Sequence, residues 1–119
     1  MINTVTIPWP PKECSPNARV HRMVLAKAKA AYKDVCYLLA KESKMQAPDY
    51  QPLVCVEFFP PDKRRRDVDN ALASIKAGID GIAQAIGIDD SNFKEYRLSM
   101  KKQGGSKTGY VIVTLKGSE

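Results

Sequence analysis

The sequence predicts a single small α/β domain over residues 1–119, with its elements in the order β-α-β-α-β-β around one mixed sheet. Two long segments carry apolar residues every three or four positions, which is the spacing of helices that pack on a core. Four shorter segments are alternating or continuously apolar and end at proline or glycine, as strands do. The chain has 119 residues, of which 44% are hydrophobic, and this is enough for one modest core.

The first strand is predicted over residues 2–7, where β-branched residues are interspersed with polar ones. Proline cannot donate a hydrogen bond to a neighbouring strand, so the strand is expected to stop at the prolines that begin with Pro8. A loop should then cover residues 10–17. The apolar residues of this first strand are Ile2, Val5 and Ile7.

A long helix is predicted next, opening at Ser15-Pro16 or Asn17 and ending near Gln46, before Pro48. Lysines occupy several of its faces. Its apolar residues fall at spacings of three and four and therefore share one face, which consists of Val20, Val24, Ala28, Ala31, Val35, Leu38 and Leu39.

The run over residues 53–59 is almost continuously apolar and predicts a central strand that is buried on both faces. A second helix should follow, capped by Asp69 or Asn70 and stopped by Gly87. Its spacing predicts a core stripe of Leu72, Ile75, Ile79, Ile82 and Ile86.

Two further strands are predicted over residues 94–102 and 108–116, because apolar and polar residues alternate in both. Gly104-Gly105 lies between them and is a hairpin signal. We therefore expect the last two strands to pair with each other.

The net charge of +6 favours an anionic partner, with nucleic acid as the first candidate. The three cysteines are far apart and form no Cys-x-x-Cys pair, which argues against a disulfide framework or a zinc site and favours a reducing cytoplasm. No apolar stretch approaches the roughly 20 residues of a membrane span. A membrane is therefore not expected as a partner. No glycine-rich phosphate loop is present either, so no small-molecule cofactor is expected.

The most distinctive stretch places four cations, Lys63, Arg64, Arg65 and Arg66, directly before two carboxylates, Asp67 and Asp69. The cations can hold a phosphate backbone. An Asp-x-Asp pair on an extended segment points both carboxylates the same way, and Mg²⁺ is usually held by one or two carboxylates with water and substrate phosphate. A third carboxylate from the Asp89-Asp90 loop would complete the cluster. The strongest structural prediction is therefore that this loop folds back onto Asp67 and Asp69.

Helix geometry adds a lysine to this cluster. Asp69 and Lys76 are seven residues apart, about two turns, so both lie on the face opposite the isoleucine stripe, and Asp80 follows on the same face. Side chains lean toward a helix N-terminus, so Lys76 can reach back toward the carboxylates. A lysine there would stabilise charge on a phosphate.

Each feature also has a simpler interpretation. Asp69 can be a helix cap, Asp89-Asp90 an ordinary turn, and residues 63–66 a solvated charge run. Lys76 and Asp80 can form an exposed pair one turn apart. The aromatic residues Tyr32, Tyr37 and Phe58 are predicted to pack, and His21, the only histidine, is predicted to face solvent.

The run from Pro60 to Asn70, followed about twenty residues later by Ile88-Asp89-Asp90-Ser91, resembles the RusA family of Holliday-junction resolvases. The early Ile7-Pro8-Trp9-Pro10-Pro11 is also similar to the family's first strand and proline turn. The resemblance implies a small α/β homodimer and Mg²⁺-dependent paired nicking of four-way DNA junctions, with Mn²⁺ as a substitute. It places the protein in DNA recombination and repair, or in phage DNA processing, in the cytoplasm of a bacterial or phage-infected cell.

By this resemblance, Asp67 and Asp69 take the place of the family's first two catalytic aspartates, and Asp90 takes the third, with Asp89 as a possible substitute. Lys76 is the candidate for the essential lysine, although the family's lysine comes one turn earlier, where this chain has Ala73. The hypothesis is thus a metal-dependent junction endonuclease. The alternative is a non-catalytic basic DNA-binding protein whose aspartates are only caps.

Overall fold

The computed structural model describes residues 3–102 and 107–117. The strands are β1 (Thr4–Pro8), β2 (Leu53–Phe59), β3 (Glu95–Met100) and β4 (Tyr110–Lys116), and the helices are α1 (Arg22–Glu42) and α2 (Val68–Ile86). Short 3₁₀ turns lie at Lys12–Cys14 and Asp90–Asn92. The predicted order β-α-β-α-β-β is confirmed. Ile2 and Gly104-Gly105 lie outside the described residues.

The four strands form one mixed sheet in the order β1-β4-β2-β3, which confirms the predicted fold class. Strand β2 pairs in parallel with β3 on one side and antiparallel with β4 on the other. The predicted hairpin of β3 and β4 is therefore wrong, because β2 separates them. The apolar β4 occupies the sheet interior, whereas β3, which carries charged Glu95 and Arg97, lies at the edge, where charge is tolerated.

The core lies between the sheet and the two helices. Val54, Val56 and Phe58 of β2 are fully buried against this layer, together with isoleucines of α2. The alternate β2 residues, such as Cys55 and Glu57, are only half-buried. The expectation that β2 is buried on both faces is wrong, because both helices cover the same face of the sheet.

Helix α1 is shorter at both ends than the sequence predicts. It begins at Arg22, where the His21 side chain caps it by accepting a 3.1 Å hydrogen bond from the Met23 N–H at Nδ1. It ends at Glu42, because Lys44 adopts a left-handed φ of 57° and Met45 N–H turns back to bond the Ala40 carbonyl. That bond pattern is typical of a Schellman-type helix end.

The buried face of α1 is not the one that its aliphatic spacing indicates. Tyr32, Cys36 and Ala40 face the core, whereas Val24, Val35 and Leu38 are 47%, 42% and 63% exposed. The reason is close helix packing, since Gly78 of α2 lies directly against the Tyr32 ring and the Cys36 sulfur. The packing role predicted for Tyr32 and Phe58 is confirmed, and Tyr37 is half-buried.

Cys14, Cys36 and Cys55 are all free thiols, as their spacing predicts. Burial raises the pKa of the Cys36 thiol to about 12. Within residues 3–102 and 107–117, neither helix is long and apolar enough to cross a membrane.

Candidate functional site

The basic stretch after β2 is a folded loop. The Asp62 carboxylate accepts hydrogen bonds from the Arg64 N–H at 2.9 Å and from Arg66 Nη1 at 2.8 Å. Arg66 also donates to the Asp62 and Arg64 carbonyls, and its guanidinium lies 5.2 Å from the Trp9 ring centroid. The hydrogen bonds to the carboxylate, that from Arg66 foremost, lower the pKa of Asp62 to about 2.

The four cations of this loop are therefore not equivalent. The Arg66 side chain is only 20% exposed and links the loop to Trp9, whereas the Arg64 side chain is 84% exposed. Lys63 and Arg65 are also exposed. Three of the four predicted DNA-binding cations face solvent, and the fourth organises the loop.

Asp67 caps α2, and its Oδ1 accepts the Asp69 N–H at 2.9 Å. The prediction that Asp69 or Asn70 is the cap is wrong, because the helix already begins at Val68. The Asp-x-Asp pair is consequently not extended, and Asp69 lies within the first turn. Both aspartates are exposed at the helix N-terminus, where the aligned peptide dipoles favour negative charge.

Gly87 ends α2 with a left-handed φ of 79°, as the sequence predicts, and the acidic loop follows. Asp89 is a capping residue, since its Oδ1 accepts the Ser91 N–H at 3.0 Å, and this bond lowers the pKa of Asp89. Asp90 lies beside Asp80 of α2, and both line the same small depression. Burial, and then the neighbouring Asp90 carboxyl and its charge, raise the pKa of Asp80.

These contacts place Asp90 away from the Asp67–Asp69 pair. Asp69 and Asp80 are eleven residues apart on α2 (80 − 69), which is about 16 Å along the helix axis. In the part of the chain that the structure describes, no three His, Cys, Asp or Glu side chains are grouped so that they could hold a metal ion. The prediction that Asp90 meets Asp67 and Asp69 is thus wrong for a single chain. Phe93, which directly follows the 3₁₀ turn of the acidic loop, is buried in the same core cluster as the isoleucines of α2.

Lys76 lies between the two acidic groups on the exposed side of α2, as helix geometry predicts. Its Nζ is 3.5 Å from the Tyr96 hydroxyl and 5.1 Å from the centroid of that ring. Lys76 therefore rests on β3 and does not reach back to Asp67 and Asp69. Tyr96 was not predicted as part of the site, although the alternation of β3 is the signal that places it on the helix side of the sheet.

Lys101 and Lys102 lie beside the basic loop and were not anticipated, and Lys101 Nζ lies 3.6 Å from Glu57 Oε2, with which it pairs. They line a depression of about 490 Å³ together with residues 62–66. The Lys101 N–H donates to the Phe58 carbonyl at 2.8 Å, which continues the parallel β2–β3 pairing. Parallel strands end at the same edge of a sheet. A predicted parallel pairing of β2 and β3, in place of the hairpin, would therefore have placed Lys101 and Lys102 beside the basic loop that follows β2.

A groove of about 900 Å³ opens beside the first turn of α2. One wall consists of Trp9, Pro10 and Pro11, and the other of residues 64–67 with Asn70 and Ser74. Asp67 lies on this second wall, so the groove adjoins the Asp67–Asp69 pair. We call it the Trp9 groove.

No protein-family model matches the chain. An uncharacterized protein of Xylella fastidiosa is 37% identical over an alignment 120 positions long, and the alignment covers 98% of this chain and 77% of that protein. The crossover junction endodeoxyribonuclease RusA of Enterobacteria phage 82 is 31% identical over 101 residues, which cover 79% of this chain and 78% of the phage enzyme. The RusA enzyme of Escherichia coli K12 is 29% identical over 102 residues, with coverages of 80% and 79%. The chain therefore belongs to the RusA family of crossover junction endodeoxyribonucleases.

Proposed function

We propose that the protein is a metal-dependent, structure-selective endodeoxyribonuclease that resolves four-way Holliday junctions by paired nicking. The observation that supports this function best is the exposed Asp67–Asp69 pair, which lies close after the exposed cations of residues 63–65 in a chain related to crossover junction endodeoxyribonucleases. The process served is DNA recombination and repair or phage DNA processing. The free thiols are compatible with action in a reducing cytoplasm.

Asp67 and Asp69 are the residues proposed to hold the metal ion. Two carboxylates suit Mg²⁺, with Mn²⁺ as a substitute, because the remaining ligands can be water and substrate phosphate. The bound ion would supply an activated water and stabilise charge on the phosphate. Within the described residues of one chain, Asp67 and Asp69 can bind the ion together, whereas Asp90 is not grouped with them.

The exposed cations hold the DNA backbone in this proposal. Lys63, Arg64 and Arg65 bind phosphates, which positions the scissile strand without reading its sequence. Arg66 keeps this loop folded against Trp9, so its effect on DNA binding is indirect. Lys76, on the same exposed side of α2, stabilises negative charge on the phosphate.

We further propose a homodimer. A four-way junction is cut on two opposed strands, and a two-fold dimer presents two equivalent sites. The exposed aliphatic residues of α1, namely Val24, Val35 and Leu38, provide an apolar surface that a single chain leaves uncovered. An antiparallel pair of α1 helices centred on Ala31 would place Val24 opposite Leu38 of the second copy.

Cleavage of a synthetic four-way junction with and without Mg²⁺ tests the function, beside a linear duplex, a flap and an RNA hairpin as alternative substrates. We expect metal-dependent paired nicks in the junction alone. Asp69→Asn should keep junction binding and reduce the cleavage rate at least ~100-fold, because a metal-ligand oxygen is replaced by a neutral amide. Asp49→Asn is the matched control, since Asp49 is an exposed aspartate on the connection before β2.

The same assay decides against a second candidate, a non-catalytic basic DNA-binding protein. That candidate gains support from the capping roles of Asp67 and Asp89. If this candidate is correct, the protein binds the junction but does not cleave it, whichever divalent metal ion is added. Wild-type cutting by Asp69→Asn would instead keep the nuclease and reject the proposed site.

A further inference from the structure

We propose that the Trp9 groove holds one unpaired nucleotide of the DNA branch, with its base stacked beside Trp9 and its edge against Asn70. This inference rests on the proposed function and adds to it a nucleotide subsite next to the Asp67–Asp69 pair. The size of the groove, its two unlike walls and the charge at its rim support it independently of one another.

The size fits one nucleotide. A volume of about 900 Å³ lies within the range of roughly 300–1,000 Å³ of pockets that enclose small organic ligands. A double helix is too wide to enter such a groove, so only a nucleotide that has left the base stack can do so. The bases at the branch of a four-way junction are paired, but their stacking is interrupted there, so extruding one of them costs less than extruding a base from a continuous duplex.

The apolar wall presents a ring whose orientation is fixed. Trp9 packs edge-on against buried Phe58 with ring centroids 6.2 Å apart, and the Arg66 guanidinium lies 5.2 Å from the Trp9 centroid. Trp9 is nevertheless half-buried and lines the groove, so part of the indole remains accessible. Stacking on an aromatic side chain is how proteins bind unpaired bases with little dependence on sequence.

The polar wall can read the edge of a base. The Ser74 hydroxyl donates a 2.8 Å hydrogen bond to the backbone carbonyl of Asn70, so this hydroxyl is not available to a ligand as a donor. The side-chain amide of Asn70 makes no hydrogen bond to another residue in the described ranges 3–102 and 107–117, and it lines the groove. An amide offers both a donor and an acceptor, which is the pattern on the edge of an unpaired base.

The charge at the rim selects a nucleotide over a neutral ligand. Lys12, Arg64 and Arg65 are exposed around the opening, where a phosphate on either side of the inserted base would lie. Asp67 lies at the same rim. A nucleotide held in the groove would thus keep its backbone beside the proposed metal-binding carboxylates.

Fluorescence of Trp9, the only tryptophan of the chain, tests the subsite directly. The Asp69→Asn variant is titrated with an intact four-way junction, with the same junction carrying abasic sites at its branch-point nucleotides, and with a linear duplex. Binding is followed in parallel by anisotropy of labelled DNA. We expect saturating intact junction to quench Trp9 emission, because a base stacks on the indole, and the abasic junction to bind without this quenching.

Variants provide the second measurement. Trp9→Ala changes the core contact with Phe58, so Asn70→Ala is preferred because it keeps both the core and the fluorophore. Asn70→Ala should weaken binding of the intact junction about fivefold, because one hydrogen bond to the base is lost, and should leave binding of the abasic junction unchanged. Gln46 is an exposed amide residue outside the groove, so Gln46→Ala should change the affinity for neither junction.

The outcomes separate the subsite from the function. Equal quenching by intact and abasic junctions, or binding of the intact junction with no change in Trp9 emission, overturns the subsite and leaves the proposed nuclease standing. Failure of the protein to bind any four-way junction overturns both.

Discussion

Arg66 and Asp62 show how neighbouring residues of one charge run acquire different roles. The sequence predicts a cationic stretch, but four consecutive cations carry no pattern that distinguishes the one that folds inward. Arg64 also pairs with Asp62, and Arg66 is distinguished from it by its contact with the Trp9 ring, which depends on how the loop turns after β2. Trp9 comes from the other end of the chain, so no local pattern in residues 63–66 could identify this role.

The ion pair between Asp62 and Arg66 should make the loop sensitive to acid. The folded pKa of Asp62, about 2, lies below its ordinary value of 3.8, so its stabilising effect is complete above the ordinary value and is lost as the pH falls through about 2. We expect Trp9 emission to change in that window, because Arg66 is released from the ring, and we expect Asp62→Asn to show the released emission already at neutral pH. Fluorescence titration with circular dichroism as a folding check measures both. Asp49→Asn is the control and should keep the wild-type acid response. If Asp62→Asn also kept that response, Asp62 would not have this role.

Lys101 and Lys102 should contribute to DNA affinity beside the basic loop. Their replacement by alanine should reduce the slope of log affinity against log salt by roughly 0.9 to 1.8, about 0.9 for each phosphate that a lysine no longer neutralises, because Lys101 also pairs with Glu57. Lys27→Ala with Lys44→Ala is the matched control, since these exposed lysines do not line the depression. Binding titrations at several salt concentrations provide the slopes. A double variant with the wild-type slope would show that the two lysines do not touch DNA.

At the scale of elements, the strands and α2 follow from local pattern, whereas the rotation of α1 and the pairing of β3 do not. Strand β2 and the isoleucine stripe of α2 lie where the apolar spacing predicts. The aliphatic residues of α1 also have helical spacing, but the close approach of α2 selects a different face for burial. The position of Asp90 is likewise set by tertiary packing and could not be predicted from the spacing of residues along the chain.

Gly81 tests whether close packing sets the rotation of α1. A Cβ atom at this position would lie 2.3 Å from the Lys33 carbonyl oxygen, so the two helix backbones would have to move apart. We expect Gly81→Ala to lower the free energy of unfolding by at least ~2 kcal/mol, more than the ~1 kcal/mol that alanine gains from helix propensity. Chemical denaturation measures the change. Gly87→Ala is the comparison, because nothing lies within 4 Å of its Cβ position and only its left-handed φ opposes alanine, at a cost of about 1 kcal/mol. A Gly81→Ala protein as stable as wild type would show that the helices can separate freely.

At the scale of the whole molecule, the separation of the acids bears on the proposed homodimer. Asp69 and Lys76 are exposed on one side of α2, half-buried Asp80 follows on the same side, and Asp90 lies beside Asp80 at the far end. One chain therefore carries two acidic groups about three turns apart. A two-fold arrangement can bring the Asp67–Asp69 pair of one copy to the Asp90 of the other, so that each site is completed by both copies.

Mixing two inactive variants tests this shared site. Asp69→Asn and Asp90→Asn should each abolish cleavage alone. If Asp90 acts across the dimer, a heterodimer of the two variants contains one site with both residues altered and one site with both intact. We expect the mixture to recover nicking of one strand per junction, at up to about a quarter of the wild-type site activity, because half of the dimers are heterodimers and each has one of two sites. Asp69→Asn mixed with an Asp67→Asn copy is the control and should stay inactive, since both substitutions fall in the same half of a site. If the first mixture stayed as inactive as the control although subunit exchange was demonstrated by differently tagged copies, the third carboxylate would have to act within its own chain or not at all.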